Sequence, residues 1–335
     1  MTKSFAYRAQ FALAGLLASS FLGLTSANAQ APDPTSATQV QAPGFYRQQV
    51  GQAVVTAVYD GYIALDPKEL AGRSQEQIQQ NIARLFQARN AKIQTAVNAF
   101  VVRIGSRLVL IDSGSSDCFG PTMGRMLGNL KIAGFKPEDI DTVLLTHMHP
   151  DHACGITTPD GKAAFPNATV WASSKDADFW LNSASAQRLP EDQRTFVKMA
   201  QDAVAPYSSK GRFKTFKDDD VIVPGISVMA ANGHTPGHSS YLVSSGAEKM
   251  LVWGDTVHFH AVQLPHPEVT VEVDIDPKGA VASRRRLLAE TARNRWLVAA
   301  AHHPFPGLGH VRSEGESNGY AWVPVEYGDL PSANR

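Results

Sequence analysis

Short apolar runs alternate with stretches of helical spacing along most of the chain. The apolar runs predict strands at residues 54–59, 99–104, 108–111, 142–145, 168–172, 226–230, 240–243, 250–253 and 296–301. Apolar positions three and four residues apart predict helices at residues 122–133, 175–183, 191–203 and 277–292. Gly105 and Ser106 predict a hairpin between the second and third strands. Hairpins mixed with strand–helix alternation indicate an α/β layered sandwich, with sheets covered by helices.

The N-terminal segment has the pattern of an export signal. Lys3 and Arg8 give a positively charged start before an apolar run at residues 11–24, and Ala27-Asn28-Ala29 has the A-x-A form of a cleavage site. The run is too short for a spanning helix, so we expect no membrane anchor. The expectation is a cleaved signal peptide at residues 1–29 and a periplasmic or secreted protein.

Composition bounds the remainder of the chain. Residues 30–44 are small, polar and rich in proline, which predicts a flexible lead-in, and residues 45–335 are expected to form the functional domain. Basic and acidic residues balance at 31 each, so there is no basic field for nucleic acid. A homodimer is possible.

The two cysteines, Cys118 and Cys154, are too few for a disulfide scaffold. We expect two small buried thiols. An exported protein could instead join them in one bridge, provided that their Cα atoms lie within about 7 Å. Ligation of a metal by a thiolate is a third and less expected role.

The segment THMHPDH at residues 146–152 concentrates ligand-type side chains directly after a predicted strand. Its first two histidines can project to one side of an extended loop, and the proline turns the chain before the aspartate and the third histidine. One loop could thus supply two metals about 3.5–4 Å apart. Imidazole and carboxylate suit zinc, with manganese, iron or cobalt possible. The residues concerned are His147, His149, Asp151 and His152.

Further ligand-type residues follow other predicted strands. These are His234, Asp255 and His302, and all 11 histidines of the chain lie beyond residue 146. Loops at strand ends can hold several side chains around one point. The alternatives are a histidine-rich surface loop and a single closed structural zinc site, but four such residues after a buried strand are unusual as surface decoration.

In these segments the chain resembles the metallo-β-lactamase-fold hydrolases. The matching pieces are LVLIDSG at 108–114, THMHPDH at 146–152, GHTPGHS at 233–239, WGDT at 253–256 and the histidine after the strand at 296–301. They occur in the family's order over nearly the whole mature chain. The resemblance implies a four-layer αββα sandwich of two β-sheets flanked by helices, with two divalent metal ions, zinc above all.

The resemblance also implies a role for each ligand. One metal would be held by His147, His149 and His234, the other by Asp151, His152 and His302, with Asp255 as the bridge. His302 is preferred to His303 because it directly follows the apolar run at 297–301. Catalysis would depend on Asp151 and Asp255 with a metal-bridging hydroxide. Candidates for orienting the ligands are Asp112 and His238, with a plain loop carboxylate and a turn-capping histidine as the alternatives.

At some positions the chain departs from the patterns of particular subfamilies, which narrows the choice of subfamily. Asp255 stands where some zinc β-lactamases have a cysteine ligand, and His149 where flavin-linked di-iron relatives need an acid. The closer likeness is to the exported branch that contains methyl parathion hydrolase and related lactone hydrolases. It is carried by APGFYR at 42–47, CFGPTMGR at 118–125, AFPNA at 164–168, DADFWL at 176–181 and FPGLGHVR at 305–312.

In that branch, aromatic side chains form the wall of the leaving-group pocket. The matching positions are Phe119, Trp180 and Phe196, with ordinary core packing as the alternative. His258 is three residues beyond Asp255, so we expect it at the pocket mouth, or else as a solvent-facing strand residue.

The expected function is therefore an exported dinuclear metal-dependent hydrolase of neutral esters or lactones, such as aryl esters or dihydrocoumarin. Hydrolysis of organophosphate triesters such as methyl parathion is the alternative. A non-catalytic exported metal-binding protein is a third, but an open site with a bridging carboxylate suits chemistry better than a closed cage does.

Overall fold

The computed structural model describes residues 42–218, 220–315 and 319–330. The predicted signal peptide and residues 30–41 of the predicted lead-in lie outside the described residues. Within the described ranges, no helix has the length and the apolar composition needed to cross a bilayer.

The described residues contain fifteen strands and seven α-helices. The strands are β1 (Phe45–Val50), β2 (Ala53–Leu65), β3 (Leu70–Ala71), β4 (Ile93–Ile104), β5 (Arg107–Ile111), β6 (Thr142–Leu144), β7 (Thr169–Ser173), β8 (Phe213–Phe216), β9 (Ile226–Ala230), β10 (Ser239–Ser245), β11 (Glu248–Val252), β12 (Thr270–Val271), β13 (Leu297–Ala299), β14 (Leu308–Ser313) and β15 (Tyr320–Pro324). The helices are α1 (Gln75–Ala83), α2 (Met126–Ile132), α3 (Pro150–Ala153), α4 (Ser174–Trp180), α5 (Arg194–Ser208), α6 (His260–Gln263) and α7 (Pro277–Asn294).

Two large sheets carry the fold. The first has seven strands in the order β1-β2-β4-β5-β6-β7-β8, antiparallel up to β5 and parallel from β5 to β8. The second has six strands in the order β15-β14-β13-β11-β10-β9, in which only β11 and β13 pair in parallel. Strands β3 and β12 form a small separate ladder.

Alternating side chains of the strands build three apolar layers. Phe100 of β4 packs between the sheets against residues such as Val228 of β9. Its neighbour Val101 points to the other face and packs among residues of α2, α4 and α5. Leu287 of α7 packs with Val298 on the outer face of the second sheet. Successive side chains of a strand point to opposite faces, so these contacts show that each sheet packs on the other sheet with one face and on helices with the other. The predicted αββα order is confirmed.

Every predicted strand and helix has a counterpart, usually with bounds that differ by a few residues. The helix expected from residue 122 begins only at Met126, because residues 112–125 form a loop. The helix expected at residues 191–203 extends to Ser208. Sequence reasoning missed the strands β1, β3, β8, β12, β14 and β15 and the helices α1, α3 and α6.

Candidate metal centre

Four loops bring the candidate ligands to one place. Each loop follows a strand, namely β6, β9, β11 or β13, so the sheets fix the points at which the loops begin. The sequence-predicted ligands are all buried, and their ligand-type atoms form compact groups. The residues are His147, His149, Asp151, His152, His234, Asp255 and His302.

The first group consists of three imidazoles and one carboxylate whose ligand-type atoms lie within 4.8 Å of one another. His147 Nε2 is 3.5 Å, and His234 Nε2 is 3.2 Å, from Asp255 Oδ2. His149 turns its Nδ1 inward, 3.0 Å from His234 Nε2. This group is the one that the resemblance assigns to one metal.

The second group faces the other oxygen of the same carboxylate. His152 Nε2 is 3.0 Å and His302 Nε2 3.1 Å from Asp255 Oδ1. Asp151 Oδ2 lies 3.3 Å from His152 Nε2 and 3.6 Å from His302 Nε2. Asp255 therefore stands between the two groups with one oxygen toward each, as a bridging ligand would.

Three of the converging atoms have no hydrogen-bond partner among the described residues. His147 Nε2, His152 Nε2 and Asp255 Oδ1 are buried, and no hydrogen bond reaches them from the described residues. If the proton of such a ring is on Nδ1, its Nε2 has a lone pair that points at a carboxylate oxygen about 3 Å away. The lone pair and the carboxylate repel each other unless a cation lies between them. The donor set thus fits two divalent cations, and nitrogen with carboxylate oxygen is a combination that zinc accepts.

Burial and mutual charge set the protonation of these groups. Burial would raise the pKa of the Asp255 carboxyl, but the facing histidines, first of all His152 and His302, hold it well below its usual range. Burial also lowers the pKa of His147 and of His149 well below the usual value. Burial would also lower the pKa of His152, His234 and His302, but the facing carboxylates raise it, to about 9 for His234. Bound cations would displace these protons, because ionised carboxylates and neutral imidazoles are the forms that bind metals.

Outer hydrogen-bond partners fix the ring orientations of the ligands. His152 Nδ1 is 2.9 Å from Asp112 Oδ2, which places the predicted Asp112 beside a ligand. His234 Nδ1 is 2.9 Å from Asp274 Oδ1, and His302 Nδ1 is 2.9 Å from a backbone oxygen, that of Ala96. Such partners commonly fix the tautomer and orientation of metal-binding histidines. Sequence reasoning missed Asp274 and Ala96.

His238 supports the bridge through the backbone. Its Nε2 accepts a hydrogen bond of 2.9 Å from the backbone N–H of Asp255, while its Nδ1 is 3.0 Å from the oxygen of Ala231. Burial lowers the pKa of His238 to about 3, so the ring is neutral and can accept. Gly254 has a φ of 57°, and a Cβ there would lie 2.5 Å from His238 Nε2. Only glycine lets the loop approach the ring this closely.

The two adjacent histidines after β13 have different surroundings. His302 faces Asp255, as the preferred assignment requires. His303 points elsewhere, and its ring packs against Trp322 at 4.4 Å and Trp253 at 5.5 Å between ring centroids.

Two of the predicted pocket aromatics contact His149 and the third contacts one of these two, but the three differ in exposure. Phe119 and Phe196 are partly buried and pack edge to face at 5.8 Å, and Phe196 also packs at 5.8 Å from His149. Trp180 is fully buried, 5.0 Å from the His149 ring. Trp180 therefore supports a candidate ligand from behind and has no surface with which to form a pocket wall.

His258 lies deeper than the expected pocket mouth. It is buried, its Nε2 is 3.0 Å from Asp255 Oδ2, and its ring stacks on His302 at 5.0 Å. Burial lowers its pKa to about 4 in spite of Asp255. The chain after β11 forms a 3-10 turn over Gly254–Thr256, so β11 does not continue to His258 and the alternative of a solvent-facing strand residue is wrong.

Cys118 and Cys154 form a disulfide, with their Cα atoms 6.5 Å apart. The expectation of two free thiols is therefore wrong, and the bridged alternative holds. The reason is the contact between the two loops, since Gly155 N donates to Gly114 O at 2.9 Å beside the bridge. The disulfide joins the loop of Phe119 to the end of helix α3, which carries Asp151 and His152.

A sandwich of two sheets with a histidine–aspartate site at its strand ends defines a class of metallohydrolases. The family model described as the metallo-beta-lactamase superfamily matches residues 93–303. The chain therefore belongs to this superfamily, and the predictions of the family and of a hydrolase are confirmed.

Several known proteins resemble the chain. The crystal structure of the hydrolase AbOPH of the beta lactamase superfamily is 42% identical, with a TM-score of 0.82 over 87% of this chain and 100% of that one. The dizinc quorum-quenching lactonase AidC is 28% identical, with a TM-score of 0.78 over 85% of this chain and 99% of its own.

Curated relatives match over shorter stretches. An N-acyl homoserine lactonase of Bacillus sp is 28% identical over 121 residues, which are 36% of this chain and 40% of that enzyme. An N-acyl homoserine lactonase of Bacillus thuringiensis is 21% identical over 178 residues, 53% of this chain and 62% of that enzyme. The chain thus spans less than two thirds of the length of these curated relatives.

Proposed function

We propose that the protein is a dinuclear metal-dependent hydrolase that opens lactones and cleaves neutral carboxylic esters. The observation that carries this proposal is the position of Asp255, with one oxygen toward each of two ligand groups. The aromatic pair of Phe119 and Phe196 next to His149 adds an apolar surface on which the organic part of a neutral substrate can lie.

Zinc is the metal that we propose, with manganese, iron or cobalt as substitutes. Two divalent ions, when bound, supply an activated water at neutral pH and polarise the bond under attack. The contribution of the chain is to neutralise and hold the ions. Asp151 and Asp255 supply negative charge, and the pKa of Asp151, which burial would raise, is lowered to about 2 by His152 and His302.

The preference for lactones draws on the relatives. AidC is a dizinc lactonase, and both Bacillus proteins are N-acyl homoserine lactonases. A lactone is a neutral cyclic ester, and its carbonyl is an electrophile that this kind of site can polarise. Phosphotriester hydrolysis is the alternative, because an aryl leaving group would contact the same aromatic pair.

A substrate panel tests the proposal. The zinc-loaded protein is assayed with dihydrocoumarin, an N-acyl homoserine lactone, p-nitrophenyl acetate and methyl parathion. We expect the highest kcat/KM with one of the lactones. A phosphotriester preferred over every ester and lactone would establish the alternative. Turnover of none of them would refute the proposal.

We further propose that the protein is exported with cleavage after Ala29, to the periplasm or the medium. The A-x-A pattern at residues 27–29 supports this, and so does the disulfide, because such bonds persist in oxidising compartments. Mass spectrometry of the protein from its native host should find Gln30 at the N-terminus. An intact Met1 would contradict export by this signal.

A further inference from the structure

Asp176 is a buried carboxylate that none of the predicted roles uses. It lies in helix α4, with its side chain fully buried. Burying an ionisable side chain is costly unless hydrogen bonds or charges compensate. The partners of Asp176 therefore indicate what the residue does.

Three donors of two ligand loops converge on this carboxylate. The backbone N–H of Met148 and the hydroxyl of Thr235 both donate to Oδ2 at 3.0 Å. The backbone N–H of Gly237 donates to Oδ1 at 2.6 Å. One side chain thus joins two loops that are far apart in sequence.

Two of the three donors are adjacent in sequence to candidate ligands of the first group. Met148 lies between His147 and His149, and Thr235 directly follows His234. Fixing the N–H of Met148 fixes the backbone from which both flanking imidazoles project. The hydrogen bond of the Thr235 hydroxyl likewise fixes the backbone from which the imidazole of His234 projects.

Helix α4 makes two further contacts with the same site. A Cβ at Gly237 would lie 2.5 Å from the backbone nitrogen of Asp176, so the loop of His234 sits directly against the start of the helix. At the other end of α4, Trp180 packs on the ring of His149. The helix therefore contacts both loops, and Asp176 is the polar link between them.

We propose that Asp176 is a positioning residue, which holds His147, His149 and His234 in one arrangement before the metal binds. The inference depends on the proposed two-metal function. A preorganised site binds more tightly because binding does not have to order its ligands. Loss of an outer partner of a metal site commonly costs about 10–100-fold in affinity, and we expect a loss of this size at the first group only.

Asp176→Asn tests the link with little change in volume. The amide retains one acceptor, but its NH2 must face either Met148 N–H or Gly237 N–H, neither of which can accept a hydrogen bond. Asp178→Asn is the matched control, since Asp178 lies on the same helix and is exposed. Thr235→Val is a milder second variant that removes one of the three donors.

The readout is zinc affinity, measured by competition with a chromophoric chelator, together with the visible spectrum of the cobalt-loaded protein. In Asp176→Asn we expect one of the two sites to weaken by about 10–100-fold and the other, formed by Asp151, His152 and His302, to keep its affinity. The cobalt absorption of the weakened site should change. Thr235→Val should shift the same site by a smaller factor, and Asp178→Asn should match the wild type.

Two results would overturn the inference. One is that Asp176→Asn and Thr235→Val bind both zinc ions with wild-type affinity. The other is that both sites weaken in parallel while the metal-free protein unfolds at a lower temperature, which would assign Asp176 a role in stability alone. A wild-type protein that binds fewer than two zinc ions would instead refute the proposed function, so the two failures are distinguishable.

Discussion

At the scale of single residues, Asp255 is the carboxylate that faces both candidate ligand groups. Its two oxygens are the only carboxylate atoms among the described residues that contact histidines of both ligand groups. Its backbone N–H is held by His238, so the carboxylate keeps its place between the groups. Removing this charge should therefore affect both metals together.

Replacing Asp255 with asparagine tests the bridge. The amide keeps the shape but loses the negative charge and one acceptor, so we expect the metal content to fall from about two per chain toward one or none, with a matching loss of turnover. Elemental analysis after gel filtration measures the content. Unchanged content and kinetics would remove Asp255 from the site.

Replacing Phe119 with alanine tests the aromatic pair. Ring–ring contacts contribute about 0.5–1.5 kcal/mol beyond area burial, so kcat/KM for aryl substrates should fall several-fold while metal content stays at the wild-type level. Aliphatic lactones should lose less. Equal losses on aryl and aliphatic substrates would show that Phe119 serves the fold and makes no contact with substrate.

Trp180→Ala should behave differently from Phe119→Ala, because Trp180 is fully buried behind His149. We expect lower metal affinity at the first group and a loss of stability of about 3–5 kcal/mol, the usual cost of truncating a buried aromatic side chain. Chelator competition and urea unfolding measure the two effects. A change in substrate preference with intact metal affinity and stability would contradict this placement.

The grouping of the candidate ligands could be predicted from sequence because these residues lie in short segments with a family pattern. Two outer partners, Asp112 and His238, were predicted because they lie in the same segments. The others come from distant parts of the chain and were missed. Asp274 is 40 residues from His234, and the oxygen of Ala96 is 206 residues from His302. A backbone oxygen carries no sequence signal at all, and a lone aspartate such as Asp176 has none until the fold places it.

At the scale of elements, the disulfide links two segments that border the candidate metal centre. It connects the loop of Phe119 with the end of α3. Hydrogen bonds nearby add a second link, because the carboxylate of Asp60 accepts from Ser115 N at 2.9 Å and from Met126 N at 3.0 Å. The long connection between β5 and α2 is thereby held at both ends and in its middle.

The double variant Cys118→Ser/Cys154→Ser tests the contribution of the disulfide to stability. The bridged residues are 36 positions apart, for which chain entropy predicts a loss of about 4 kcal/mol in the free energy of unfolding. Urea denaturation measures the change. The denatured wild type should show no free thiols without reductant, and two free thiols per chain would contradict the bridge.

The elements that sequence reasoning missed have weak apolar patterns for physical reasons. Strands β1, β8, β9 and β15 end the two large sheets, and three of these four, β1, β8 and β15, were missed. Polar residues interrupt the apolar pattern of β1 and β8, as is common in edge strands, and β15 has only five residues. Helix α1 buries little besides Ile78 and Ile82. Its capping box at Ser74 and Gln77 was a signal that could have revealed it.

At the scale of the whole molecule, the fold was predictable because each sheet is buried on both faces. Continuous apolar runs such as those of β4 and β5 indicate such strands without any partner being known. The strand ends then determine where the polar loops meet. The pairing of β11 with β13 brings Asp255 and His302 together. This pairing joins distant segments of the chain, and the pattern of apolar residues alone does not predict it.

The possible homodimer stays a prediction at this scale. Sedimentation velocity of the zinc-loaded protein between micromolar and submicromolar concentration would test it. A dimer should appear as a concentration-dependent species of about twice the chain mass. A single species with the mass of one chain throughout would contradict it.

Titration of the metal-free protein with zinc, with lactone turnover as the readout, tests the central claim most directly. Because both ligand groups share Asp255, we expect dihydrocoumarin hydrolysis to reach its maximum only as about two equivalents of zinc bind. Removal of the metal by a chelator should abolish turnover, and adding zinc back should restore it. Full activity at one equivalent, or turnover by the metal-free protein, would contradict the two-metal account.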